Sequence, residues 1–331
     1  MIKTYEKKDE IRNINQTKES AVRIFCGLFL LACFALAVAF SAKSREALLG
    51  AMILCAKNLI PSVFLFAVIG NLIGSSAAEF PRFMTFALSK IFGVGEEGAK
   101  ALLPGLFAGF PVGVSAAVRL YERGRIDKYE FDRICAFSCT PGGAFVISGV
   151  GEGMFADKTI GVVIYISVML SVFIVGFLTK KRKTAKNTAN ITFENTERPR
   201  FSEVLSDAVI KSSSAMLVMT AFVAFFSQVT FFASLALSTF TVSEHFDAIL
   251  KAFFEVSQAC RASAELGGMG AVMLSAFACA WSGLSFQMQT LAIGGKYSDS
   301  FSARKTALCR LAVALLSVII CALICKVLEI S

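Results

Sequence analysis

The chain has 331 residues, 56% of them hydrophobic and only 17% charged, with a mean hydropathy of +0.67. About a quarter of a soluble domain is charged, so this composition points away from a soluble enzyme or binding module. The formal net charge of +9 sits in loops between apolar runs. It reads as the cytoplasmic excess of Lys and Arg in a membrane protein rather than as a nucleic-acid surface.

Residues 1–23 are polar and include Glu6, Asp9, Glu10 and Glu19, unlike the short basic leader of a signal peptide. The apolar run 24–40 is therefore expected to be an uncleaved first helix, the alternative being cleavage after Ala42. A second run, 46–74, is long enough to span, with a kink or break expected at Pro61. A shorter apolar piece follows at 83–93. The stretch "GLFAGFPVGVSAAVRL" (105–120) is apolar but carries Gly109, Pro111 and Gly113 at its middle. "YERGRIDKYEFDR" (121–133) reads as a mixed-charge helix or loop. "ICAFSCTPGGAFVISGVG" (134–151) is apolar and broken at Pro141, Gly142 and Gly143, and a regular span is expected at 159–178.

Residues 180–200 are polar and basic and read as a linker between two halves. The second half opens with a Ser-rich amphipathic stretch and a span at 215–237. It continues with 252–266, then 274–295, and closes with a span near 306–328. Laid on each other without gaps, 136–147 and 276–287 pair Ala136 with Ala276, Phe137 with Phe277, Cys139 with Cys279 and Gly143 with Gly283. A second block pairs Phe110 and Val112 with Phe254 and Val256. Two blocks in one order at nearly one separation indicate an internal duplication.

Lys and Arg cluster in the N-terminal tail, in 119–133 and in the 180–186 region, which assigns all three to the cytoplasmic side. The first helix then delivers the chain to the far side near Lys43. The first half runs from there back to the linker, and the second half starts inside, so the halves have inverted topology. The expected fold is an all-α polytopic membrane protein: two inverted-topology repeats with broken or re-entrant helices, plus an extra N-terminal transmembrane helix. The divisions are 1–45 (tail and first helix), 46–178 (first repeat), 179–207 (basic linker) and 208–331 (second repeat). The predicted location is a multi-pass protein of a bacterial membrane with a cytoplasmic N-terminus. Its expected partners are the lipid bilayer and a small-molecule anion, with no nucleic acid, and a homo-oligomer is compatible with the sequence.

Unpaired backbone groups are costly in hydrocarbon, so irregular backbone survives only inside protein or beside a cavity. Breaks at matching places in inverted halves are the design of secondary transporters, where half-helix N-termini meet an anionic solute near the midplane. The candidate binding residues in the first half are Pro111, Gly113, Ser115, Thr140, Gly142 and Gly143. In the second half they are Glu255, Ser257, Gln258, Ser282, Gly283, Ser285, Gln287 and Gln289, with Arg261 as an anion contact or a snorkelling side chain. Ser257 and Ser285 are equally consistent with bonding their own helices. Gln287 and Gln289 do not share a helix face, and Trp281 reads as an interface anchor or a site wall. The ten cysteines lie singly in apolar runs and read as small buried hydrophobes. His245 has no ligand partners in view, so neither a cofactor nor a metal is expected, and no coupling ion is specified. The chain has no HExxH, no Ser–His spacing and no paired aspartates in a span, so it does not read as an enzyme.

"IPSVFLF" (60–66), "GFPVG" (109–113), "AFSCTPGGAFVISGVGEGMF" (136–155), "FFEVSQAC" (253–260) and "WSGLSFQMQ" (281–289) resemble, in order, blocks of the YlbJ-type sporulation integral membrane proteins. That family carries the nucleoside-recognition (Gate) domain, and the resemblance covers about residues 45–328. It implies a role in endospore formation, moving dipicolinic acid across the outer forespore membrane. A nucleoside or ion-coupled transporter and a non-transporting scaffold in spore assembly remain alternatives. The chain departs from the family at Ser138–Cys139–Thr140–Pro141–Gly142–Gly143, where an Asn-rich turn with Gly-Pro is common. It departs again at Gln287, where a His is common.

Overall fold

A proline in a helix removes a donor, and its ring collides with the carbonyl four residues back. In the computed structural model of this protein, Pro61 is accommodated by one π-helical turn, Cys55–Leu59, between α2 (Ser41–Leu54) and α3 (Ile60–Gly74). A wider turn of this kind moves the carbonyl out of the ring's way, and the Ser62 hydroxyl donates to the freed Asn58 carbonyl. The helix is therefore neither ended nor split, and Ser41–Ile73 forms one span of 33 residues.

The structure describes residues 30–74, 80–138, 140–180, 200–237, 243–294 and 302–330, with positions 20, 23, 24, 27 and 28. The first predicted span appears as α1 (Leu30–Ala39). Only Phe40 separates it from α2, and the N–H groups of Phe40 and Ser44 still bond four residues back. Lys43 and Arg45 thus lie within α2 rather than in the loop expected near Lys43. The bulk of the 180–200 linker and Cys139 fall outside the described residues.

The short piece α4 (Arg82–Phe92) leads to α5 (Glu96–Ala108) and α6 (Val112–Glu122). Residues 105–120 do not cross the membrane as an interrupted rod. The chain reverses at Gly109–Pro111, and α5 and α6 pack side by side, so that a methyl on Gly113 would lie 2.7 Å from Gly105 Cα. Arg125, just beyond α6, pairs with Glu97 at the start of α5 at 3.4 Å, which fixes both ends of the hairpin on one face. The expected mixed-charge segment resolves into the end of α6, a turn and α7 (Lys128–Phe137). Asp127 and Glu130 start α7 with reciprocal capping bonds of 2.9 and 3.2 Å. A break at Ser138 and Thr140–Gly142, a helical turn running into a π-helical segment (Phe145–Glu152) and α8 (Lys158–Leu178) follow.

The second half begins with α9 (Phe201–Leu237), in which the Ser-rich stretch and the predicted span form a single helix. Then come α10 (Glu244–Phe254), a one-residue break at Glu255, α11 (Val256–Leu266), α12 (Gly268–Trp281), a break at Ser282, α13 (Gly283–Gly294) and α14 (Ala303–Val327). Val112 and Val256, paired in the ungapped comparison, are each the first residue of an 11-residue helix.

Matching helices of the two halves run antiparallel. Ser44 donates to Gln228 at 2.6 Å while Asn71 donates to Ser212 at 3.1 Å, so α2–α3 and α9 lie head to tail. Asp132 accepts from the Ser302 N–H at 3.0 Å, and its neighbour Arg133 donates to the Thr179 carbonyl at 3.1 Å. The start of α14 and the end of α8 therefore share one face. That face also carries the basic segment 119–133 and Lys180, which bonds the Lys90 carbonyl at 2.8 Å. Arg133, 7% exposed, also donates to the carbonyls of Phe92 and Gly176, so from α7 it ties together the ends of α4 and α8. Among the described residues five spans are long and apolar enough to cross a membrane. Their exposed Leu170, Ile174, Phe177, Leu217, Leu315, Ile319 and Leu323 suit acyl chains. The protein is an all-α, polytopic membrane protein.

Candidate functional site

Each hairpin tip touches the break in the helix that follows it. In the first half the Phe110 N–H donates to the Thr140 carbonyl at 3.0 Å. Gly109, at φ +80°, faces Gly142 so closely that a methyl would lie 2.7 Å from Gly142 Cα. Only glycine combines that backbone angle with that approach. In the second half a methyl on Gly283, at φ +59°, would lie 2.9 Å from the Phe254 carbonyl oxygen and 3.2 Å from Glu255 Cα. Across the molecule, Phe110 at the first tip meets Phe286 of α13, just beyond the second break, edge to face at 5.2 Å. The irregular backbone is thus buried in protein, as hydrocarbon demands.

This geometry assigns the predicted site residues different tasks. Gly113, Gly142 and Gly143 permit close packing: against Ser138 and Gly105, against the Ala108 carbonyl, and against the Tyr165 ring, respectively. Pro111 is the N-cap of α6 and is half-buried, and so is Ser115. Thr140 is fully buried, and its hydroxyl has no hydrogen-bond partner among the described residues. Glu255 is also fully buried. It caps α11 by accepting from the Gln258 N–H at 2.8 Å, so its own carboxyl occupies the N-terminus of α11. Ser257 adjoins that carboxyl.

At the other break Ser282 is left-handed (φ +67°), donates to the Cys279 carbonyl at 3.2 Å and accepts from Arg310. Gln289 donates to Ser285 at 3.3 Å within α13, and both are buried. Gln287, on another face, reaches the Trp281 carbonyl at 3.4 Å. Trp281 is anchored by donating to the Phe253 carbonyl at 3.1 Å, so it braces the tip of the α10–α11 hairpin.

Arg310 escaped the sequence reading. It has no exposed surface although it lies within a span. The available signal was a lone arginine inside "ALCRLAVALL", because charges at that depth are expensive and mark sites by default. Arg261 takes a different place from the one expected. It is exposed and paired with Glu265 at 3.2 Å.

Arg261 and Gln258 share a polar cavity of about 360 Å³ between α2, α9, α10 and α11, whose other walls include Ser227, Thr230, Ser234, Asp247 and Lys251. It opens on the face opposite Lys180, since Ala47 near the start of α2 and Ser234 near the end of α9 both line it. His245 lies in the first turn of α10, and no metal-ligand cluster exists among the described residues.

No protein-family model matches the chain, and no solved structure matches it. Among curated proteins, the sporulation integral membrane protein YlbJ of Bacillus subtilis (strain 168) is 23% identical over 189 residues. That match takes in 51% of this chain and 46% of the relative, so it spans about half the relative's length. The Gate-domain reading rests on the motifs alone. The chain is a multi-pass membrane protein similar to a sporulation integral membrane protein.

Proposed function

We propose that the protein carries a small organic anion across the membrane, with dipicolinate at the outer forespore membrane as its solute. The face bearing 119–133 and Lys180 is taken as cytoplasmic by the excess of basic residues there. The two halves are read as an inverted duplication. One observation carries this reading: each half holds a membrane-buried hairpin whose tip meets the break of the next helix, and the halves run antiparallel. Two such units facing each other can exchange packing partners and expose one site to either side in turn.

The anion's charge is matched by the N-terminus of α13, where Ser282 is held by buried Arg310. The first-half break offers the N-terminus of the π-helical segment and the unpartnered Thr140 hydroxyl. Phe110 and Phe286, edge to face between the two breaks, offer an apolar ring face against which a planar aromatic diacid can pack.

Uptake of labelled dipicolinate, with uridine in parallel, into vesicles holding purified protein tests the reading. Dipicolinate should enter saturably, and Arg310→Gln should lower its uptake by at least about tenfold, the loss of one charged contact. Preferential uridine uptake would favour the nucleoside alternative. No uptake of either solute would favour a scaffold.

A further inference from the structure

Glu255 is the one member of the candidate site whose charge opposes an anion. Its carboxyl is fully buried at the tip of the α10–α11 hairpin. One oxygen caps Gln258, and the other has no hydrogen-bond partner among the described residues. The charged groups on the packed elements are engaged elsewhere. Lys251 pairs with Asp247 at 2.6 Å, Arg261 pairs with Glu265, and Arg310 bonds Ser282. The titratable groups within reach of the carboxyl are the thiols of Cys55 and Cys260, the latter 3.8 Å from Cys279. Thiols supply no positive charge. An ionised carboxylate in such surroundings is disfavoured, and the group takes up a proton instead.

The carboxyl does not itself line a cavity, but it bonds a residue that does. Gln258, whose N–H it holds, is a wall of the 360 Å³ polar cavity that opens opposite the basic face. From there a proton can reach an otherwise dry site, with Ser257 beside the carboxyl to accept its hydrogen bond.

We propose that Glu255 is the proton-carrying residue of the transport cycle. Resting on the anion-carrier reading above, this assigns the coupling ion: a proton enters from the polar cavity and travels with the anion. In the loading step a hydronium ion in the cavity gives its proton to the unpartnered Glu255 oxygen, forming one O–H bond and leaving a water. The reverse step follows when the site faces the other side. Neutralising the carboxylate removes its repulsion of the incoming anion and lowers the net charge that must cross.

The test uses the full chain in sealed vesicles and by infrared spectroscopy. At neutral pH the wild type should show a protonated carboxylic-acid carbonyl band that is missing in Glu255→Gln. In Glu255→Asp the band should persist with a shifted titration midpoint. With dipicolinate as probe, one unit of pH gradient should give about tenfold accumulation in the wild type, the ratio for one coupled proton. Glu255→Gln should show less than about twofold, and Glu255→Asp, which keeps a carboxyl, should recover gradient-driven accumulation. Identical bands in wild type and Glu255→Gln, or equal gradient-driven accumulation in both, would overturn the proton assignment while leaving carriage intact. A wild type with the band but no dipicolinate uptake would support the proton site and overturn the anion reading instead.

Discussion

Asp132 accepts a hydrogen bond from the backbone N–H of Ser302 across 170 positions of sequence. This contact pins the start of α14 beside the end of α8, because the adjacent Arg133 holds the Thr179 carbonyl. The two helices are thereby fixed antiparallel. The relation between the halves rests on bonds of this kind as much as on sequence likeness.

The arginine in this junction is a structural keystone. Arg133→Ala should lower stability by about 2–4 kcal/mol, because three carbonyls at the ends of α4 and α8 lose a charged donor. Thermal unfolding of the purified protein in detergent would register the drop. Arg133→Lys should recover only part of it, since one ammonium does not span three carbonyls.

The antiparallel packing of the long helices can be trapped chemically. Asn71→Cys combined with Ser212→Cys should cross-link under mild oxidation, because the two side chains meet at 3.1 Å. Asn71→Cys combined with Gln228→Cys should not, because Gln228 lies at the other end of α2 beside Ser44. Mobility on a denaturing gel separates the outcomes.

Glycines at the breaks should differ sharply from glycines elsewhere. Gly109→Ala and Gly142→Ala should each cost more than about 2 kcal/mol, since a methyl meets neighbouring backbone. Gly270→Ala, in α12 with open space around it, should be neutral or stabilising by up to about 1 kcal/mol. Thermal midpoints of the three variants test the contrast.

Sidedness follows from the basic face. In intact cells a membrane-impermeant maleimide should label Glu265→Cys beside the polar cavity. Arg123→Cys should react only after permeabilisation. The opposite pattern would reverse the orientation.

Much of this architecture is legible in the sequence, because hydrocarbon imposes strict rules on backbone. The apolar runs and the breaks at Pro111 and Pro141–Gly142 carry through to the structure. What the sequence hides is direction. Gly109 and Pro111 announce an interruption, but only the contact of Gly113 with Gly105 reveals that the chain turns back. Pro61 shows the converse, a breaker absorbed by a π-helical turn and a serine hydroxyl that no periodicity reports. Residue type alone also hides contacts: the cap that Glu255 places on Gln258 and the burial of Arg310 against Ser282 are visible only in the structure.

Counterflow bears most directly on the central claim. Purified protein in vesicles preloaded with unlabelled dipicolinate should take up labelled dipicolinate faster than in empty vesicles, the mark of a site that faces each side in turn. Uptake no greater than in protein-free vesicles, loaded or not, would contradict carriage by the paired breaks.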